Sequence, residues 1–217
     1  MEFELARFNM IEQQIRPWEV LNQDVLSLMQ SIPREAFVPE SYRSLAYADI
    51  AVPLAHDQVM IKPTVVARML QSLRPDATDI ALEIGTGSGY VTALLARRVH
   101  HVDSVDIFAD FTPLAQRNLA AQGIHNVTCS SGDAAHGWGE RGRYDVIALT
   151  GSVPVIPDAF LQGLNRGGRL FAIVGQAPVM EAQLITRVGP EEWSCEALFE
   201  TELPMLLNAA QPGQFIF

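Results

Sequence analysis

The chain has 217 residues, of which 48% are hydrophobic, so it can bury the core of one α/β domain with an extension. Its formal net charge of −10 at pH 7 repels phosphate backbones, which argues against nucleic acid as a partner. Two cysteines are too few for a disulfide framework, and no stretch has the apolar run of a signal peptide or a membrane span. We therefore expect a cytoplasmic protein that acts neither on nucleic acid nor in a membrane.

The first region of the chain, residues 1–75, has helical and loop-forming patterns. Apolar residues at helical spacing over 20–29 predict a helix, with Asn22 or Asp24 as its N-cap. The later predicted elements are loop with short extended segments over 51–63 and a helix over 65–73. We expect this region to form an N-terminal helical extension that covers the active site.

The second region, residues 76–217, alternates short β-rich runs with segments of helical length. The predicted strands are Ile80–Ile84, His101–Ile107, Val127–Ser130, Tyr144–Leu149 and Arg169–Val174. The predicted helices are Val91–Arg98, Leu114–Gln122 and Pro157–Leu164, followed by a turn at Gly167–Gly168. This alternation predicts an α/β fold with a Rossmann-like, doubly wound, mostly parallel sheet. Two further runs, 183–188 and 197–202, are expected to be antiparallel.

A glycine-rich loop follows the first strand of this sheet, with Gly85, Gly87 and Gly89 at its first, third and fifth positions. Glycines there permit a tight turn and let a ligand approach the backbone at a helix N-terminus. The dinucleotide fingerprint needs its third glycine at the sixth position, where this chain has Tyr90, so NAD is disfavoured. Glu83, just ahead of the loop, could meet a cationic amino-acid group, which S-adenosylmethionine carries.

Two acidic residues follow the next two strands. Asp106 lies at the end of the second strand, where a carboxylate accepts from ribose hydroxyls, whereas its neighbour Asp103 is expected to be solvated. Asp133 lies after the third strand, where it can accept from the exocyclic amine of an adenine. Residues 76–217 are therefore predicted to bind S-adenosylmethionine. The candidate cofactor-binding residues are Glu83, Gly85, Thr86, Gly87, Ser88, Gly89, Asp106, Ile107, Gly132, Asp133 and Ala134.

The stretch Leu82–Tyr90 resembles the nucleotide-loop motif of the protein-L-isoaspartate O-methyltransferase family. The similarity continues upstream in Ile32–Pro39 and downstream in Gly167–Leu170, and it covers about residues 20–175. It implies a class I methyltransferase fold and methyl transfer from S-adenosylmethionine to a carboxylate, leaving S-adenosylhomocysteine. In that family the acceptor is the α-carboxylate of a damaged aspartyl residue. The implied partner is a protein or peptide substrate, or a small-molecule carboxylate.

The chain departs from this family in the acceptor loop, where the family usually has Gln-Thr-Ile-Ser-Gln-Pro and this chain has the aligned stretch Gln58–Pro63. Here Val59 replaces the threonine and Ile61 the serine, so neither side chain can donate a hydrogen bond. We interpret Val59, Met60 and Ile61 as walls of the acceptor site, where Lys62 or backbone N–H groups would hold a carboxylate. Methylating a carboxylate needs no base, so we predict no acid–base residue and no metal. His56 could accept a proton if the acceptor were a hydroxyl or an amine.

Three alternatives follow from these residues. The acceptor-loop change leaves open a related methyltransferase with a different acceptor, or a cofactor-binding homologue without catalysis. A nicotinamide oxidoreductase is the third, and the glycine spacing disfavours it.

Overall fold

A computed structural model describes residues 2–139 and 142–212. A small antiparallel sheet pairs β1 (Val52–Pro53) with β2 (Val59–Met60). The strands of the main sheet are β3 (Ile80–Ile84), β4 (His101–Asp106), β5 (Val127–Ser131), β6 (Tyr144–Val153), β7 (Leu164–Gln176), β8 (Val179–Gly189) and β9 (Glu192–Glu200). Their order is β5-β4-β3-β6-β7-β8-β9, with β3 to β7 parallel and β8 and β9 antiparallel. The strand order reverses at β3, where α/β sheets open a crevice for ligands.

Helices flank this sheet and form the N-terminal extension. They are α1 (Glu2–Asn9), which a π-helical segment (Met10–Ile15) continues, α2 (Gln23–Ser31), α3 (Pro63–Leu73), α4 (Tyr90–Ala96), α5 (Phe111–Ala121) and α6 (Asp158–Gln162). Asn22 is the N-cap of α2, because its side chain accepts from the backbone N–H groups of Asp24 and Val25. Such a cap stabilises a helix by about 1 kcal/mol. The predicted α/β class, doubly wound sheet and helical extension are confirmed.

Two apolar clusters lie on the opposite faces of the sheet. Successive residues of β3 alternate between them, with Ala81 in the first cluster and Leu82 in the second. The first cluster runs from Met10 to Leu203, so it includes the N-terminal extension. The loop between β1 and β2 is thereby fixed above the carboxyl end of the sheet, since Val52 and Met60 are buried in the same cluster.

Two sequence expectations are wrong. The turn predicted at Gly167–Gly168 lies inside β7, as a bulge in the pairing with β6: Tyr144 faces Leu164, while Val146 already faces Arg169. A φ of +79° at Gly167 accommodates the extra residues. Asp103 is buried rather than solvated, because its side chain packs within the fold and accepts from the hydroxyl of Tyr144 at 3.1 Å.

No helix in the described part of the chain is long and apolar enough to cross a bilayer.

Candidate functional site

The loop between β3 and α4 can be built only with glycine at its first position. Gly85 has a φ of +101°, and a Cβ added there would lie 2.2 Å from the Oγ1 atom of Thr150. Thr150 cannot easily withdraw, since its hydroxyl lies 2.7 Å from the carbonyl oxygens of both Ile84 and Gly85. The Gly85 amide donates to the carbonyl of Val105 at 2.8 Å, which anchors the loop to β4.

Asp106 connects the loops that follow β3 and β4. One carboxylate oxygen accepts from the amide of Gly87 at 2.8 Å, and the other accepts from the amide of Phe108 at 3.0 Å. Burial raises the pKa of Asp106, although these two hydrogen bonds oppose the shift. Each oxygen keeps a second lone pair, so Asp106 can also accept from a ligand hydroxyl.

A buried polar network lies beneath the glycine loop. The hydroxyls of Thr92 and Ser104 donate to one oxygen of Glu83, and the Thr86 hydroxyl lies 2.6 Å from that of Ser104. Glu83 is fully buried, and its second oxygen, Oε1, has no partner among the described residues. Burial raises the pKa of this carboxyl to about 8. The network supports the loop and leaves one acceptor atom unsatisfied.

Asp133 joins the loop after β5 to the C-terminal segment, the part of the chain that follows β9. Its Oδ1 accepts from the amide of Ala135 at 3.0 Å, and its Oδ2 accepts from the side-chain amide of Asn208 at 2.8 Å. The hydrogen bond from the Ala135 amide is the main cause that lowers the pKa of Asp133. Ser152 of β6 holds the same segment, because it exchanges backbone hydrogen bonds of 2.9 Å with Pro204 and Leu206.

One pocket at the carboxyl end of the parallel strands brings many of the predicted residues together. The candidate cofactor residues that line it are Gly85, Gly87, Asp106, Ile107, Gly132, Asp133 and Ala134. Glu83, Thr86 and Ser88 line a smaller cavity under the loop, with Met60 and Ile61 from the acceptor loop. Gly89 instead lets α4 approach α5, since a Cβ there would lie 3.0 Å from that of Ala115.

The C-terminal wall of this pocket was not predicted. It consists of Leu203, Pro204, Leu206 and Leu207. No motif marks these residues in the sequence. The segment reaches the pocket only because β8 and β9 return the chain to the carboxyl end of β6.

The acceptor loop approaches the pocket from the N-terminal side. Val59 lines the pocket, whereas Lys62 is exposed at the mouth of a neighbouring cavity. His56 stacks on Phe108 at 4.1 Å between ring centroids, and its Nε2 lies 2.9 Å from a carboxylate oxygen of Asp110. The imidazole therefore fastens the acceptor loop to the start of α5.

Arg34 is a second contact of the acceptor loop that the sequence did not reveal. Its guanidinium is fully buried, lies 5.0 Å from the ring centroid of Tyr90, and donates to the carbonyl of Ile61 at 2.8 Å. Burial lowers the pKa of Arg34. This side chain links the N-terminal extension, the acceptor loop and the first turn of α4.

The strand order and the glycine loop at its reversal point, with a carboxylate after each of the next two strands, define a class I methyltransferase of the Rossmann-like type. Residues 6–201 match the family model of protein-L-isoaspartate(D-aspartate) O-methyltransferase. The chain therefore belongs to this family, whose cofactor is S-adenosylmethionine. The nicotinamide oxidoreductase alternative has no support.

Individual relatives agree with this assignment. The protein-L-isoaspartate O-methyltransferase of Methanospirillum hungatei is 40% identical over 181 residues, which are 83% of this chain and 84% of that protein. A solved protein-L-isoaspartate O-methyltransferase superposes with a TM-score of 0.79 at 26% identity, over 92% of this chain and 65% of that one. A Plasmodium falciparum protein, assigned as a beta-aspartate methyltransferase and crystallised with S-adenosyl-L-homocysteine, shares the fold with a TM-score of 0.77 at 18% identity, over 94% and 97% of the two chains.

Proposed function

We propose that this protein transfers the methyl group of S-adenosylmethionine to the α-carboxylate of an L-isoaspartyl residue in a protein or peptide. The observation that carries the proposal, beside the family membership, is the shared wall between two cavities. Val59, Leu203 and Pro204 line both the pocket at the glycine loop and a neighbouring apolar cavity. An acceptor held in the second cavity, the acceptor cavity, would thus lie against a cofactor held in the first, the cofactor pocket.

The residues at the glycine loop fit the cofactor. Gly85 and Gly87 leave their backbone open to a ligand, and the free lone pairs of Asp106 suit the two hydroxyls of a ribose. Asp133, after β5, suits the exocyclic amine of an adenine. The unsatisfied Oε1 atom of Glu83 suits the cationic amino group of the methionine part, directly or through water, because a nearby cation favours the ionised carboxylate and opposes the effect of burial on its pKa.

Under this proposal, the protein catalyses the reaction mainly by positioning the acceptor carboxylate against the methyl group of the cofactor. The cofactor supplies a methyl group on a sulfonium, which is a good leaving group. An acceptor carboxylate is already ionised near neutral pH, so the protein need not remove a proton. Val59 and Leu203 would exclude water from the shared wall, while the two cavities hold the reacting atoms at a fixed separation.

Lys62 is the side chain best placed to hold the acceptor carboxylate. It is exposed at the mouth of the acceptor cavity, and it has no hydrogen bond or ion pair with any described residue. Because an exposed ion pair contributes about 1 kcal/mol at most, Lys62→Gln should raise the KM for peptide by up to about five-fold. The affinity for S-adenosylhomocysteine should stay unchanged. An equal loss of both affinities would show that Lys62 acts on the fold instead.

The decisive experiment compares two peptides that differ only in one linkage. The protein is incubated with radiolabelled S-adenosylmethionine and either an isoaspartyl peptide or its normal aspartyl counterpart, and base-labile methyl ester is counted. Label on the isoaspartyl peptide alone supports the proposal. Tight binding of S-adenosylhomocysteine without label on either peptide would contradict it.

Such a negative result would favour the two remaining alternatives, a different acceptor or a role without catalysis. The observation behind both is that Val59 and Ile61 offer no hydroxyl to an acceptor carboxylate.

A further inference from the structure

The acceptor cavity is larger and more apolar than a single carboxylate needs. Its volume is about 660 Å³, within the range of about 300–1,000 Å³ that is typical of ligand pockets. Its apolar walls come from the acceptor loop, α3, β8 and the C-terminal segment. The apolar residues are, in that order, Val59 and Ile61, Val65, Met180, and Leu203 with Met205.

The polar groups of this cavity lie at its mouth and not in its depth. Lys62, Gln176 and Glu202 are the exposed polar side chains there. Ile61 and Met180, in contrast, are 6% and 8% exposed. An ion placed deep in the cavity would therefore lose its hydration without compensation, whereas an apolar group would not.

We infer that the cavity binds an apolar side chain of the residue next to the methylated one, so that the protein selects isoaspartyl sites with a large aliphatic neighbour. This inference rests on the proposed function. The shared wall supports it, because a peptide whose carboxylate reaches the cofactor pocket past Val59 has its adjacent residue at the cavity. Burying an aliphatic side chain there is favourable, whereas a polar one leaves its hydrogen bonds unmade.

The experiment uses two pairs of isoaspartyl peptides and the full chain saturated with S-adenosylhomocysteine. In one pair, the residue after the isoaspartyl residue is either leucine or serine. In the other pair, the residue before the isoaspartyl residue is either leucine or serine. Dissociation constants come from calorimetry, and KM values from methyl transfer. In at least one pair the leucine peptide should bind about ten-fold more tightly than the serine peptide.

A matched pair of variants locates the effect. Met205 is 41% exposed and lines the acceptor cavity but not the cofactor pocket, so Met205→Gln should reduce the ten-fold preference to about two-fold. Val179 is 77% exposed and lines neither cavity, so Val179→Gln should keep the full preference. Both variants should bind S-adenosylhomocysteine as the parent does.

The possible outcomes separate the inference from the proposed function. Equal binding of leucine and serine peptides in both pairs overturns the inference, and so does a preference that survives Met205→Gln unchanged. A leucine preference in binding without any methyl transfer supports the inference while the proposed activity fails. Methyl transfer at equal rates to all four peptides supports the proposed activity and overturns the inference. No binding by any peptide overturns both the inference and the proposed activity.

Discussion

The two halves of the site are built in different ways. The cofactor half consists of the loops after β3, β4 and β5, in which Asp106 and Asp133 accept short hydrogen bonds from backbone amides of these same loops. The acceptor half combines the loop over 54–62 with the segment over 202–207, which come from opposite ends of the chain and meet through apolar contacts. The first half is specified locally, and the second half depends on how the ends of the chain pack.

The largest expected effect is a break in the cofactor half. Gly85→Ala forces a side chain into a backbone with a φ of +101° and against Thr150. Backbone strain and overpacking together should cost about 2–5 kcal/mol, enough to abolish measurable binding of S-adenosylhomocysteine by calorimetry. Gly123→Ala is the matched control, since Gly123 has a φ of +64° but no atom within 4 Å of an added Cβ. Normal cofactor affinity in Gly85→Ala would contradict the described loop.

Asp106→Ala tests the carboxylate that connects two loops of the cofactor half. The change leaves the amides of Gly87 and Phe108 without their acceptor. Losing charge-assisted hydrogen bonds of this kind costs about 1.5–3 kcal/mol, so the Kd for S-adenosylhomocysteine should rise about 10- to 100-fold. Peptide binding to the acceptor cavity should change less. An unchanged Kd for S-adenosylhomocysteine would show that Asp106 does not organise the cofactor half.

The buried carboxyl of Glu83 should make the free energy of unfolding depend on pH. Its pKa is about 8 when folded, against 4.5 for an ordinary glutamate, so the folded state binds the proton more tightly. The free energy of unfolding of the cofactor-free protein should therefore fall as pH rises from about 4.5 to about 8, by at most about 1.4 kcal/mol per pH unit from this group. Urea titrations at pH 6, 7 and 8 measure the slope.

Glu83→Gln is the control for this slope. The amide keeps the shape of the side chain but does not titrate, so the part of the pH dependence that Glu83 causes should disappear. Identical slopes for the variant and the parent would rule out Glu83 as its source.

The smallest expected effect concerns the contact that joins the two halves. His56→Ala removes the stack on Phe108, which lines the cofactor pocket. An aromatic pair contributes about 0.5–1 kcal/mol, so the Kd for S-adenosylhomocysteine should rise about two- to five-fold. His125→Ala, at another exposed histidine, should have no effect. A loss of more than a hundred-fold would mean that His56 contacts the ligand directly.

The sequence predicted the elements of the cofactor half more accurately than those that build the acceptor half. Both bounds of β3 were predicted correctly, and those of β4 and β5 to within one residue, because short β-rich runs between segments of helical length mark parallel strands. The longer strands β6 to β8 were predicted too short, and the run predicted for β9 starts five residues late and ends two residues late. The outer parts of these strands are stabilised by pairing with each other and not by an apolar run. The cytoplasmic location and the division of the chain at residue 75 stay predictions.

By itself, the sequence determined the fold class, the glycine loop and the carboxylates of Asp106 and Asp133, because each depends mainly on segments that are close together in the chain. Only the tertiary structure decided the acceptor half and the C-terminal contacts of the cofactor half. The bond from Arg34 to the Ile61 carbonyl, the bond from Asn208 to Asp133 and the apolar wall around Leu203 join segments far apart in the sequence. Such contacts leave no local pattern, since their free energy arises only after the sheet has brought both segments to its carboxyl edge.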